Sequence, residues 1–138
     1  MGGEKKGLAV IFHSGSYDRL HHGLSIALAG LALGRPVRFF FTYWALAYLK
    51  RGGGSYFHLD SEAEDHPQAI QKNMEKGHPE RVSDLISQSK ALGGKFYSCT
   101  HSMSLLNIAR DELIDEVDRS MGLTTFLTET AEDQILFI

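Results

Sequence analysis

Gly94-Lys95-Phe96-Tyr97-Ser98-Cys99-Thr100-His101-Ser102-Met103 is the stretch on which the reading of this chain turns. Gly93 and Gly94 end one helix, Phe96 and Tyr97 favour a strand, and Thr100 or Ser102 offers a hydroxyl to cap the helix that follows. The stretch therefore predicts a short buried strand that delivers Cys99 to a strand end, where a helix begins. A thiol at such an N-terminus feels the positive end of the helix dipole, which favours thiolate. Apolar burial of a lone cysteine as a small hydrophobe pulls the other way.

The flanks repeat the pattern. Leu8 to Phe12 is a near-continuous apolar run, as expected of a parallel strand covered on both faces. His13, Ser14, Gly15 and Ser16 make the turn into a helix from Asp18 to Leu33, with Leu20, Leu24, Ala27, Leu28 and Leu31 at helical spacing and Gly34 as its stop. Val37 to Phe41 reads as a second strand. It breaks at Thr42 into a short aromatic helix, Tyr43 to Leu49, and then into a glycine-rich loop from Arg51 to Ser55. Val82, Leu85, Ile86 and Leu92 mark a further helix face ahead of Cys99. Beyond it the pattern predicts a short helix from Ser102 to Ile108, a brief strand within Glu112 to Arg119, and an amphipathic helix from Leu123 to Glu132. That last helix should turn Leu123, Phe126, Leu127 and Ala131 inward, ahead of a final strand from Ile135 to Ile138. Such alternation implies one α/β domain over residues 1–138, with a mainly parallel sheet and helices on both faces. Its ligands should bind at the carboxyl ends of the strands, where Cys99, the His13 to Ser16 turn and Thr42 fall.

Composition narrows the function classes. The 138 residues, 43% hydrophobic and 22% charged, suit one globular domain with a proper core. A net charge of -3, with no basic stripe, gives no general attraction to nucleic acid. The apolar run after Met1 is too short for a signal peptide or a membrane span, so a cytoplasmic setting is the default expectation. With a single cysteine, any disulfide or sulfur relay must cross to another molecule, which excludes a dithiol mechanism of thioredoxin type.

Beside Cys99, His101 is a candidate to hold a thiolate or an anionic sulfur adduct, or else a solvated first-turn residue. Thr100 and Ser102 are pocket hydroxyls or caps. Ser14-Gly15-Ser16-Tyr17-Asp18 is a candidate anion cradle or a plain helix cap, and it lacks both glycine-rich phosphate motifs. The segment containing His58, Asp60, Glu62, Glu64, Asp65 and His66 has metal-ligand residue types at no recognised spacing; it reads as a solvated acidic loop, with no metal or other cofactor expected. Tyr43, Trp44 and Tyr48 exceed what a small domain easily buries, which points to a pocket wall or a subunit interface.

At these residues the chain resembles the DsrE/DsrF-like family of sulfur-trafficking proteins, in its peroxiredoxin-like branch. Ser14 to Asp18 fits the turn after the first strand. Phe40-Phe41-Thr42-Tyr43-Trp44-Ala45-Leu46 fits F-F-T-[FY]-W-G-L, and Cys99 to Ile108 with Glu112-Leu113-Ile114-Asp115 fits C-x-M-S-M-D-x-M-G-I followed by E-L-I-D. The chain departs from these motifs at Ala45, His101, Ser104, Leu106 and Asn107. The resemblance implies a flavodoxin-like three-layer sandwich of about five strands, assembled as a trimer or hexamer. It further implies a cysteine carrying persulfide or thiosulfonate sulfur, for which our reading places a pocket at the helix N-terminus near Thr42 and Tyr43. The partners it implies are a TusA-like carrier, a rhodanese-like donor and a heterodisulfide-reductase-like complex. The sequence thus reads as a sulfur carrier or sulfurtransferase working through Cys99. Its rivals are a flavodoxin-like nucleotide or flavin module, a structural or regulatory oligomer with an inert cysteine, and a one-cysteine peroxidase.

Overall fold

The computed structural model describes residues 5–53, 56–63, 66–77 and 80–138. Five strands form one sheet: β1 (Leu8–Phe12), β2 (Val37–Phe41), β3 (Lys95–Cys99), β4 (Val117–Met121) and β5 (Gln134–Phe137). All four pairings are parallel, in the spatial order β4-β3-β2-β1-β5. This is the α/β sandwich that the alternation predicts. The helices are α1 (Tyr17–Ala32), α2 (Pro67–Glu75), α3 (Val82–Ala91), α4 (Thr100–Leu105) and α5 (Leu123–Glu129). Tyr43–Leu49, expected to be helical, winds as the tighter 3-10 form.

The two faces of the sheet are covered unequally. Alternate residues Leu8, Val10, Phe12, Val37, Phe39, Phe41 and Phe96 meet Leu20, Leu24 and Ala27 of α1 and Val82, Leu85 and Ile86 of α3 in the main core. On the other face Ala9, Ile11, Phe40, Tyr97, Cys99 and Met121 meet a single fully buried helical side chain, Phe126 of α5. The topology explains the imbalance. The chain steps across the sheet from β1 to β4 in one direction and then returns past three strands to β5, so the right-handed rule for parallel crossovers sends α5 alone to the opposite face. It starts at the carboxyl end of β4 and descends toward the amino end of β5. The corner above the carboxyl ends of β1 and β5 stays open.

Several expected boundaries and faces shift. The strand expected within Glu112 to Arg119 lies later, at Val117–Met121, because Arg110–Glu112 forms a 3-10 turn and Leu113 is consumed in an antiparallel bridge with Lys50. Leu123 and Leu127, expected inward with Phe126, are half-exposed, and Ala131 lies beyond the helix on the surface: with only a shallow sheet corner beneath it, a seven-residue helix buries one side chain. Leu92 sits past the end of α3 and is exposed. Helix α2, whose nine residues bury no side chain, carries too weak an apolar stripe to stand out in the sequence. Gly54, Ser55, Glu64 and Asp65, named in the loop readings, lie outside the described residues.

Candidate functional site

The carboxyl ends of β1, β2, β3 and β5 border a cavity of about 520 Å³, at the corner that α5 leaves open. Its walls are Ile11, Phe40, Tyr43, Leu123, Leu127 and Phe137, with His13, Thr42, Cys99, His101 and Ser102 supplying the heteroatoms. Alternation along β3 places Tyr97 and Cys99 on this face, and Cys99 is both the last residue of the strand and the N-cap of α4. The thiol is free and 5% exposed. Five of the residues singled out in the sequence, Cys99, His101, Ser102, Thr42 and Tyr43, are thus brought together.

The hydroxyls do not act as the caps that the sequence suggested. Thr100 is the first residue of α4 and faces solvent, and no side chain caps that helix. Ser102 instead shares a buried hydrogen bond with Thr42, Oγ to Oγ1 at 2.6 Å, which ties α4 to the end of β2. Ser102 is fully buried and Thr42 nearly so, so this pair holds the first turn of α4, and Cys99 with it, against the sheet edge. With only six residues, α4 supplies far less dipole than a long helix, and the cavity's polarity comes mainly from side chains.

Tyr43 reaches the cavity through a backbone in the left-handed region, at φ 49°. An aromatic residue there costs of order 1 kcal/mol or more, and it persists because its neighbours fix it. Its ring lies 4.9 Å from that of His13, which in turn lies 6.0 Å from the ring of Phe137. Ile11, Phe40, Leu123, Leu127 and Phe137 carry no site reading in the sequence, and His13 enters there only as part of the turn at the ligand-binding edge. The signal that places His13 and Phe137 here is their position at the ends of β1 and β5, strands that pair in parallel with Ile11 opposite Phe137.

Ser14 and Gly15 lie outside this cavity, on a neighbouring one of about 600 Å³ that shares His13 and is lined further by Ser16, Arg19, Trp44, Tyr56, His58 and Asp60. Most of the turn's backbone donors are already engaged: His13 and Ser14 N–H donate to the Ile138 carbonyl, Ser16 N–H to Ser14 Oγ, and Tyr17 N–H to the His58 carbonyl. Arg19 is held by Asp60 at 3.1 Å and Glu62 at 3.0 Å. An anion cradle needs free donors and positive charge, and this turn offers little of either. Gly15 is required for a different reason, since a Cβ there would stand 2.9 Å from Trp44 Cβ. Its carbonyl accepts the Tyr48 hydroxyl at 2.7 Å. Tyr48 is therefore buried, bordering a small cavity of about 110 Å³ that Cys99 does not line, whereas Trp44 is exposed. Among the described residues no group of three or more His, Cys, Asp or Glu side chains is gathered to hold a metal ion, and none of their helices is long and apolar enough to cross a membrane.

Comparison with known proteins agrees with this architecture. Solved structures of MTH1491 from Methanobacterium thermoautotrophicum, a protein of unknown function, and of the ychN protein from E. coli each superpose with a TM-score of 0.67. Their identities are 13% and 14%, over 97% of this chain and 100% of theirs, a likeness of fold. YrkE, an uncharacterised protein of Bacillus subtilis (strain 168), is 26% identical, with 98% of each chain aligned. The model of the DsrE/DsrF/DrsH-like family matches residues 60–138, the half that contains β3, Cys99, α4 and the whole return to β5. The motif around Cys99, the five-stranded parallel sheet and this match agree: the chain belongs to the DsrE/DsrF/DrsH-like family.

Proposed function

We propose that this protein is a sulfur carrier or sulfurtransferase in which Cys99 accepts sulfane sulfur and passes it to a partner thiol. One observation carries the reading: the chain's single cysteine forms part of the wall of a preformed cavity at the carboxyl edge of a parallel sheet, the place where such folds bind ligands. Family membership supports a sulfur-related role. With one cysteine, acceptance and delivery are both intermolecular exchanges, in which a thiolate attacks sulfur and a thiol leaves. His101, exposed at the rim, is placed to assist an anionic adduct. A TusA-like thiol is the proposed acceptor, a rhodanese-like protein the proposed donor, and a heterodisulfide-reductase-like complex a downstream partner in a cytoplasmic pathway.

Self-association belongs to the same proposal. Trp44 and Ile135 are exposed apolar groups, and β5 is an edge strand with one side unpaired. A trimer or hexamer should appear by light scattering at micromolar concentration, and a monomer alone would remove this part of the reading.

The deciding experiment is intact mass after incubation with polysulfide, tetrathionate or thiosulfate. Wild type should gain a sulfur adduct, Cys99→Ser should assemble normally and gain none, and His101→Ala should load more slowly. Serine cannot form the persulfide link, so an adduct on Cys99→Ser would end the carrier reading. The 95% burial of the residue favours a second reading, a structural thiol. Failure of wild type to react with every donor would establish that one.

A further inference from the structure

The cavity beside Cys99 is far larger than one sulfur atom needs, and its surface is mostly apolar. A cavity of roughly 150 Å³ already holds a benzene ring. This one measures about 520 Å³, and among the described residues no Lys, Arg, Asp or Glu contributes to its lining. Six apolar or aromatic side chains, Ile11, Phe40, Tyr43, Leu123, Leu127 and Phe137, make most of the wall. An oxidised sulfur group such as a sulfonate brings a full charge, which among the described residues only the rings of His13 and His101 face, and the apolar wall makes it costly to hold. The wall suits a soft, uncharged substituent instead.

The polar floor is equally specific. Thr42 and Ser102 carry two hydroxyl hydrogens, and their mutual bond at 2.6 Å uses one of them. Among the described residues no further acceptor is hydrogen-bonded to either hydroxyl, and both side chains line the cavity with Cys99. One buried O–H is therefore available to sulfur held beside the thiol, and a buried donor without an acceptor is costly.

From this wall and floor we infer that the substrate is a small organic persulfide, R–S–SH, whose apolar R group fills the cavity while its outer sulfur meets Cys99. The inference rests on the carrier reading above and names its substrate class. Cys99 thiolate attacks the outer sulfur, a bond forms between Sγ and that sulfur, and the original S–S bond breaks. Its electron pair leaves on R–S⁻, which takes up the proton that the Cys99 thiol released. The sum is R–S–SH plus Cys99–SH giving R–SH plus Cys99–S–SH, with no net oxidation.

Loading of wild type should be followed by intact mass with benzyl persulfide, glutathione persulfide and thiosulfate, each rate divided by that of the same donor with free cysteine. Burial of one aromatic group predicts an advantage of about tenfold or more for the benzyl donor. Phe137→Ser, at a strand position 71% exposed and so tolerant of change, should cut that advantage by about threefold or more. Equal normalised rates, a faster glutathione donor, or an adduct that retains sulfonate would overturn the inference. Cys99→Ser titrated with benzyl methyl sulfide, observed by NMR shifts of cavity residues, separates the two layers. Binding there with no sulfur transfer in wild type upholds the apolar site and sinks the carrier reading; no binding sinks the apolar site.

Discussion

Replacing Phe126 by alanine tests whether α5 is held by one side chain. Phe126 is fully buried, with its ring stacked at 4.7 Å on Phe40 and edge-on to Tyr97 at 6.1 Å. Truncating a buried phenylalanine costs about 3–5 kcal/mol, the upper part of the range applying where neighbours cannot close the gap. Here the sheet beneath is rigid, but the face beside it is open, so partial collapse or water entry favours a loss of about 3 kcal/mol. What remains to hold α5 is weak. The Arg119–Glu129 ion pair, at 3.1 Å with Arg119 about half-exposed, is worth about 0–1 kcal/mol, Arg38 donates one exposed hydrogen bond to the Glu129 carbonyl, and a seven-residue helix has no stability alone. Phe126→Ala should therefore lose about 3 kcal/mol in urea unfolding and also detach the helix that carries Leu123 and Leu127. Alkylation of Cys99 by a neutral reagent should then accelerate, with Phe126→Leu intermediate in both measurements. A loss below about 1 kcal/mol with unchanged alkylation would refute the view that Phe126 anchors the site's outer wall.

Tyr48→Phe should cost about 1–2 kcal/mol in chemical denaturation, because it removes the hydroxyl that donates to the Gly15 carbonyl in a buried setting. Burial, with the nearby Tyr56 and Tyr17 phenols and Asp18, raises the Tyr48 phenol above its usual value. The stability linked to its proton is therefore complete below about pH 10 and lost as pH rises beyond it, and Tyr48→Phe should be less sensitive to alkali over that window. Asp118 titrates in the opposite sense. Burial alone would raise its carboxyl, but hydrogen bonds from Lys90 and the Phe96 N–H, with the charges of Lys90 and Lys95, outweigh it and hold the group below its usual value. Its contribution should be full above about pH 4 and fade as pH falls through the depressed value; Asp118→Asn should be less stable than wild type near neutrality and converge with it in acid unfolding curves. Convergence at neutral pH instead would mean that the Lys90 pair contributes nothing.

The strands were legible because burial on both faces leaves apolar runs, unbroken in Leu8–Phe12 and interrupted only by Arg38 in Val37–Phe41. The cysteine at the end of β3 was legible from the glycines before it and the helix formers after it. What escaped the sequence lies on the thinly covered face. Leu123 and Leu127 keep the helical spacing of core residues, and spacing alone cannot tell a side chain that meets a sheet from one that borders a cavity. That difference depends on where α5 crosses, which is set by the return from β4 to β5 and by nothing local to the helix. The capping reading of Ser102 failed for a similar reason: its partner, Thr42, is 60 residues away and reaches it only once β2 and β3 are paired. The long return that leaves α5 alone on its face thus does two things at once. It leaves Cys99, though buried, bordering a cavity at the carboxyl edge of the sheet, and it surrounds the thiol with apolar side chains that, in a fully covered sandwich, would have been core.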